Sequence, residues 1–263
     1  MIEGNLRKMK VQSGEPISYF MDIGEGVDMN SLLGKEITLS WSGRIFCQSC
    51  GKEAKKSFGE GFCYPCFISS PEAAECTIRP ELCRAHLGEG RDPQWEERNH
   101  NQSHIVYLAA SDSVKVGVTR KSQVPTRWID QGAASAIRLA ETPNRYLAGS
   151  IEVALKEFFT DKTNWQRMLR NEIDESIDLL EEKWSIHDQL PSDITRYYSE
   201  DDEIVNLVYP VLEYPHKVKS LTLDKFPEIR SRLVGIKGQY LLFEGGNALN
   251  IRKHTGYRVS LDF

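Results

Sequence analysis

All six cysteines of the chain lie between positions 47 and 83, and this clustering limits how the surrounding segment can fold. The first four form two CxxC pairs separated by twelve residues, namely Cys47, Cys50, Cys63 and Cys66. Each CxxC turn brings two sulfurs to one point, so the two pairs match a tetrahedral zinc ion held by four thiolates. The alternatives are disulfides, which are typical of exported proteins, and a redox CxxC, which leaves the second pair unexplained.

The other two cysteines, Cys76 and Cys83, predict a second site of mixed donors. The nearest histidines along the chain are His86 and His100, and we expect these four side chains to bind a second zinc ion. His104 is a weaker candidate because it begins a predicted strand. In the alternative interpretation, the two thiols are idle and the histidines lie at the surface. A four-thiolate site has no open coordination position, so the expected cofactor is structural zinc, one or two ions.

With 263 residues, 40% of them hydrophobic, the chain can bury a substantial core in two or three domains. No apolar run reaches the roughly 18 residues of a membrane span, so no membrane partner is expected. The first residues lack an apolar signal core, which predicts a cytoplasmic protein. The net charge of −5 argues against a dedicated nucleic-acid binder. However, residues 104–170 carry ten Lys or Arg against six Asp or Glu, a local charge of +4 that is compatible with a nucleic-acid site.

The order of predicted elements indicates an α+β fold. Strand patterns make residues 1–46 and 204–263 β-rich, and neither end is large enough to fold alone. We therefore expect strands from the two ends to pair in one small sheet or barrel. Between them we expect a zinc-binding segment at 47–100, a small α/β domain at 104–170 and a helix at 171–190.

The α/β domain begins with a predicted hairpin followed by two helices. Tyr107 lies on the first strand, and Gly117 lies on the second, where a glycine marks a bulge or a close backbone approach. Arg127 lies on the short first helix. Glu152 lies on a polar stripe of the second helix, beside Gly149. Taken singly, these residues have ordinary explanations: a strand aromatic, a solvated arginine and a Glu–Lys pair.

In this order, the residues resemble the GIY-YIG nuclease superfamily. Ile105-Val106-Tyr107 stands at the first motif and Lys115-Val116-Gly117 at the second, followed by Arg127 and Glu152. The resemblance implies that Tyr107 contacts or deprotonates the attacking water and that Arg127 offsets phosphate charge. It implies that Glu152 holds one Mg²⁺ or Mn²⁺ ion. It also implies a nucleic-acid partner, DNA or RNA, whose backbone would be gripped by Lys115, Arg120 and Lys121.

Two positions depart from the superfamily pattern, because Ile105 replaces the leading Gly and Lys115 replaces the second-motif Tyr. The predicted function is divalent-metal-dependent phosphodiester hydrolysis by a zinc-stabilised protein. The alternatives are a non-catalytic nucleic-acid or ribonucleoprotein-binding module and a protein-interaction adaptor. The chain also resembles a family of uncharacterised bacterial proteins. This second resemblance covers most of the chain and implies no function. It rests on the hairpin, on the paired CxxC motifs before it and on Asp161-Lys162-Thr163-Asn164-Trp165 after the long helix.

Overall fold

A computed structural model describes residues 1–159 and 164–263. They divide into two compact units. Unit 1 comprises Met1–Ile68, Ile129–Gly132 and Leu207–Phe263, and unit 2 comprises Ser69–Trp128 and Ala133–Asn206. The six cysteines are divided between the two units, because the boundary falls between Ile68 and Ser69. Helices and several sheets occur together, which confirms the predicted α+β class.

The strands are β1 (Ile2–Asn5), β2 (Lys10–Gln12), β3 (Ser18–Met21), β4 (Val27–Asp28), β5 (Glu36–Phe46), β6 (Glu53–Ala54), β7 (His104–Ala110), β8 (Val114–Arg120), β9 (Ser135–Thr142), β10 (Ile204–Asn206), β11 (Lys219–Leu221), β12 (Glu228–Lys237), β13 (Tyr240–Phe243), β14 (Asn247–Asn250) and β15 (Tyr257–Asp262). The helices are α1 (Tyr64–Ser69), α2 (Pro93–Asn99), α3 (Thr126–Asp130), α4 (Arg145–Leu155), α5 (Trp165–Leu169), α6 (Leu179–His187) and α7 (Ser192–Thr195). Among the described residues, no helix has the length and apolar character that a membrane span requires.

Strands from both ends of the chain form the main sheet of unit 1. Its order is β1-β15-β5-β12-β13-β14-β11, and β6 also pairs with β5. The long β5 is antiparallel to both neighbours, so that Leu39 is level with Leu261 of β15 and with Ile229 of β12. All three side chains are buried in one core. The sheet therefore pairs strands from both ends of the chain, and the first cysteine pair follows directly after its strand β5.

Unit 2 is built on an antiparallel sheet in the order β10-β9-β7-β8. Val106 and Leu108 of β7 form a core with Ile151 of α4, so α4 covers one face of the sheet. Tyr107 is level with Gly117 of the edge strand β8. Because successive strand residues point to opposite faces, Tyr107 and Gly117 lie on the face that α4 does not cover.

The helix predicted at 171–190 is shorter in the structure and begins at Leu179. The Asp178 carboxylate accepts hydrogen bonds from the backbone N–H groups of Leu180 and Glu181, which fixes the start of α6. Residues 171–178 form turns and irregular chain instead. Asp161-Lys162-Thr163 of the second resemblance lie outside the described residues.

Candidate metal centres and candidate active site

The first metal centre joins the end of β5 to the start of α1. Cys47 and Cys50 lie in the turn after β5, where the Gly51 N–H donates to the Cys47 carbonyl oxygen at 2.9 Å. Gly51 has a φ of 71°, which glycine adopts without steric cost. Cys63 precedes α1 and Cys66 lies in its first turn. The four sulfurs lie within 4.8 Å of one another, so the structure brings together all four predicted ligands.

The distances in this first centre fit zinc. Tetrahedral ligands at a Zn–S distance of about 2.3 Å place their sulfurs about 3.8 Å apart. The Sγ atoms of Cys50 and Cys63 are 3.8 Å apart, and both cysteines are free thiols. Burial raises the pKa of the Cys47 thiol. Hydrogen bonds from the backbone N–H groups of Cys50 and Cys63 outweigh this effect and bring the pKa down to about 6. The thiolate form of Cys47, which is the metal-binding form, is therefore favoured at neutral pH, whereas hydrogen bonding with Cys63 raises the pKa of Cys66 to about 12.

Four side chains of unit 2 form the second centre: Cys76, Cys83, Glu96 and His100, with ligand atoms within 4.8 Å of one another. The two cysteines lie in the loop before α2, Glu96 lies in α2 and His100 directly follows it. The Sγ of Cys76 is 3.9 Å from Nδ1 of His100, close to the roughly 3.6 Å expected between sulfur and nitrogen ligands of one zinc ion. Glu96 and His100 contact each other through Oε2 and Nδ1, and both are nearly fully buried.

The fourth ligand of the second centre is Glu96, whereas the sequence predicted His86. The His86 ring stacks on Tyr146, with the ring centroids 4.6 Å apart, and it is not one of the four grouped ligands. Sequence reasoning missed Glu96, although a signal for it exists. Glu96 precedes His100 by four residues, a spacing that places two helical side chains on one face and lets both reach one ion.

Tyr107 is 1% exposed and packs over the neighbouring strand. A Cβ on Gly117 would lie 2.6 Å from the Tyr107 hydroxyl oxygen and 2.7 Å from its Cζ, so the glycine leaves the space that the ring occupies. The rings of Tyr107 and Trp128 also lie close, with centroids 5.8 Å apart. The close approach predicted at Gly117 is thus an approach by the tyrosine ring itself.

Arg127 and Glu152 are half-buried and influence each other electrostatically. Burial raises the pKa of Glu152, and the positive charges of Lys156, Arg145 and Arg127 oppose that effect without cancelling it. Within the part of the chain that the structure describes, neither the Arg127 guanidinium nor the Glu152 carboxylate makes a hydrogen bond or an ion pair with another side chain. The Glu152 carboxylate therefore lies within electrostatic range of three cations, of which Arg127 has the weakest effect.

The three cations predicted to grip a nucleic acid all have intramolecular partners. The pairs are Lys115–Asp112 at 3.1 Å, Arg120–Asn99 at 2.6 Å and Lys121–Glu141 at 2.8 Å. Lys115 and Arg120 are also half-buried, and burial lowers the pKa of Arg120. Contact with a phosphate backbone would have to replace these bonds.

One family model matches the chain. It describes the family as "Protein of unknown function (DUF2797)" and matches residues 34–259, which include both metal centres and the Arg127–Glu152 pair. No curated protein and no solved structure matches the chain.

Proposed function

The chain belongs to the DUF2797 family, whose description names no activity, and we propose that unit 2 hydrolyses a nucleic-acid phosphodiester, with zinc as a structural ion. Arg127 and Glu152 would be the charged groups of the reacting site. The observation that carries the proposal is the half-buried Glu152 carboxylate, which makes no hydrogen bond to another described side chain and lies within electrostatic range of Lys156, Arg145 and Arg127. The resemblance to the GIY-YIG superfamily supplies the reaction type.

Glu152 suits a single divalent cation. Mg²⁺ in proteins commonly uses one or two carboxylates and keeps several waters, so one carboxylate with free oxygens is enough. Partial burial raises the pKa of Glu152 because it disfavours the charged carboxylate, and a bound cation would favour that charged form. When bound, Mg²⁺ or Mn²⁺ would polarise a phosphoryl oxygen.

Arg127 would offset the negative charge that grows on the phosphate during cleavage. A guanidinium presents a planar fork of donors that fits phosphate bidentately. Because α3 begins soon after β8, the edge strand of the sheet holds Arg127 at a defined place. Preorganised donors of this kind stabilise a transition state at little reorganisation cost.

Tyr107 takes a different role here from the one that the resemblance implies. Its ring is buried and lies over Gly117, on the sheet face that α4 does not cover. It packs against Trp128, the residue that follows Arg127 in α3. We therefore propose that Tyr107 positions α3, rather than acting as the base that removes a proton from water.

Binding without cleavage is the alternative that the sequence leaves open. That function would rest on Lys115, Arg120 and Lys121, and each of these already has an intramolecular partner. Phosphate contacts supply most of the affinity of non-specific binders, so paired cations weaken the case.

The test is cleavage by the full chain, loaded with zinc, of a panel of single- and double-stranded DNA and RNA in Mg²⁺ or Mn²⁺. We expect wild type to cut at least one substrate. We expect Glu152→Gln and Arg127→Ala each to lower the rate by about 100-fold, the usual effect of removing one transition-state contact. Matched controls are Glu157→Gln and Arg98→Ala, which change exposed side chains of the same charge in the same unit.

Two results would count against hydrolysis. An intact panel with wild-type protein removes it, and so does full activity in Glu152→Gln. Salt-sensitive binding without cleavage would favour the binding module instead. If the protein shows neither cleavage nor salt-sensitive binding, the remaining alternative is the protein-interaction adaptor.

A further inference from the structure

The loop that carries Cys76 and Cys83 packs against α4, the helix of Glu152. Arg145, the first residue of α4, donates from Nε to the Cys76 carbonyl oxygen at 2.9 Å and from Nη2 to the Thr77 carbonyl oxygen at 2.8 Å. The backbone N–H of Arg145 donates to the His100 carbonyl oxygen at 2.9 Å. Two of these three acceptors belong to ligands of the second centre.

Gly149, one turn further along α4, allows the loop to touch the helix backbone. A Cβ at this position would lie 2.3 Å from the backbone nitrogen of Glu81 and 2.4 Å from the carbonyl carbon of Pro80. The stack of His86 on Tyr146 adds a further contact between the loop and α4. The loop therefore lies directly on the half of the helix that precedes Glu152.

The apolar side chains that the described part of this loop buries are small, namely those of Pro80, Cys83 and Ala85. Ile78 is 87% exposed, and Leu82 and Leu87 are exposed as well. Among the described residues, none in the range 76–87 belongs to the hydrophobic core of unit 2. The loop contains only short 3₁₀ turns, whose hydrogen bonds are local. Since ordering a segment costs entropy, such a loop needs a cross-link.

The second centre supplies that cross-link. Cys76 and Cys83 bracket the segment that touches Gly149, while Glu96 and His100 attach it to α2. Thiolate, imidazole and carboxylate are all zinc ligands, and the two thiolates favour zinc over Mg²⁺. Metal binding of this kind contributes directly to the folding free energy of the segment that it closes.

We infer that a zinc ion held by Cys76, Cys83, Glu96 and His100 is a clamp on α4. With the ion bound, the loop keeps its contacts with Arg145 and Gly149. Without it, the loop leaves the helix, and the turn that presents Glu152 loses order. The inference concerns the order of α4, so it stands or falls separately from hydrolysis.

The test measures zinc content and hydrogen exchange in the full chain. We expect two zinc ions per wild-type chain, one for each group of ligands, and one in Cys83→Ser. In that variant, amides of α4 should exchange at least about tenfold faster, as expected when a local contact is lost. The matched control is Cys63→Ser, which removes the zinc of unit 1 and should leave exchange in α4 unchanged.

The inference is overturned if Cys83→Ser loses one zinc ion while α4 exchanges as in wild type, or if it keeps both ions. If Cys83→Ser does not fold, wild type is titrated with a chelator and followed by the same two measurements. Exchange in α4 must then accelerate in step with loss of one zinc ion. Acceleration that follows zinc loss from unit 1, or none at all, also overturns the inference.

Discussion

Gly149→Ala tests the contact between α4 and the metal-binding loop most directly. In an open helix position, this change stabilises a protein by about 1 kcal/mol, because alanine is the better helix former. Here the added Cβ would lie 2.3 Å from the Glu81 nitrogen and 2.4 Å from the Pro80 carbonyl carbon. Both atoms belong to backbone, so neither can rotate away, and the loop must move by about 1 Å to reach ordinary contact distance.

Overpacking of this kind costs about 1–3 kcal/mol. Subtracting the gain in helix propensity, we expect the free energy of unfolding of unit 2 to fall by about 0–2 kcal/mol. Hydrogen exchange of peptides from unit 2, measured across a urea series, gives the free energy of unfolding of this unit without interference from unit 1. Affinity for the second zinc ion should fall as well.

Ser150→Ala is the control for Gly149→Ala, because it changes helix propensity at the next position. It should leave the stability within about 0.5 kcal/mol of wild type. A Gly149→Ala protein that is about 1 kcal/mol more stable than wild type would refute the reasoning, since it would mean that the loop does not touch the helix.

Three further predictions concern charge. Burial lowers the pKa of His104 to about 4, so the unfolded chain binds its proton first as the pH falls. The stability of unit 2 should therefore drop by about 3 kcal/mol between about pH 6.5 and pH 4, and His104→Gln should remove that part of the drop in urea titrations at each pH. Arg127→Ala should raise the pKa of Glu152 slightly further, because it removes one of the three positive charges that oppose the effect of burial; an NMR titration of the Glu152 carboxyl that shows no rise would contradict the coupling. Glu141→Gln should release Lys121 and increase salt-sensitive nucleic-acid affinity in a filter-binding assay, by no more than about 1 kcal/mol because the pair is exposed; no change would mean that Lys121 lies outside the interface.

The first metal centre could be predicted because its geometry is local. Two CxxC turns fix where four sulfurs lie almost regardless of the rest of the fold. The hairpin of β7 and β8 was also accessible, since alternation and a short connection are enough to define it. The second centre was only partly accessible. The four-residue spacing from His100 places Glu96 on the right helix face, but only the fold shows that its side chain is buried, to 2% exposure.

Other features depended on contacts between distant residues. The helical periodicity of 171–190 does not reveal the effect of Asp178. Its side chain caps the first turn of α6, so the helix begins at Leu179 and the preceding residues form turns. The sheet face on which Tyr107 lies is set by the strand residues that α4 covers. Every residue of β7 is buried, so its sequence shows no alternation that would identify that face. The division at Ile68 depends on pairing between chain ends.

Because the main sheet of unit 1 pairs strands from both ends of the chain, it cannot be completed until the C-terminal strands have been synthesised. Strand β5 leaves the ribosome early, but its partners β12 and β15 are made last. At about 5–20 residues per second, the thiols that follow β5 wait roughly 10–40 seconds for their sheet. During that interval the nascent CxxC pairs can be oxidised or can take up a competing metal. Early zinc loading by the two turns alone would protect them until the last strand arrives.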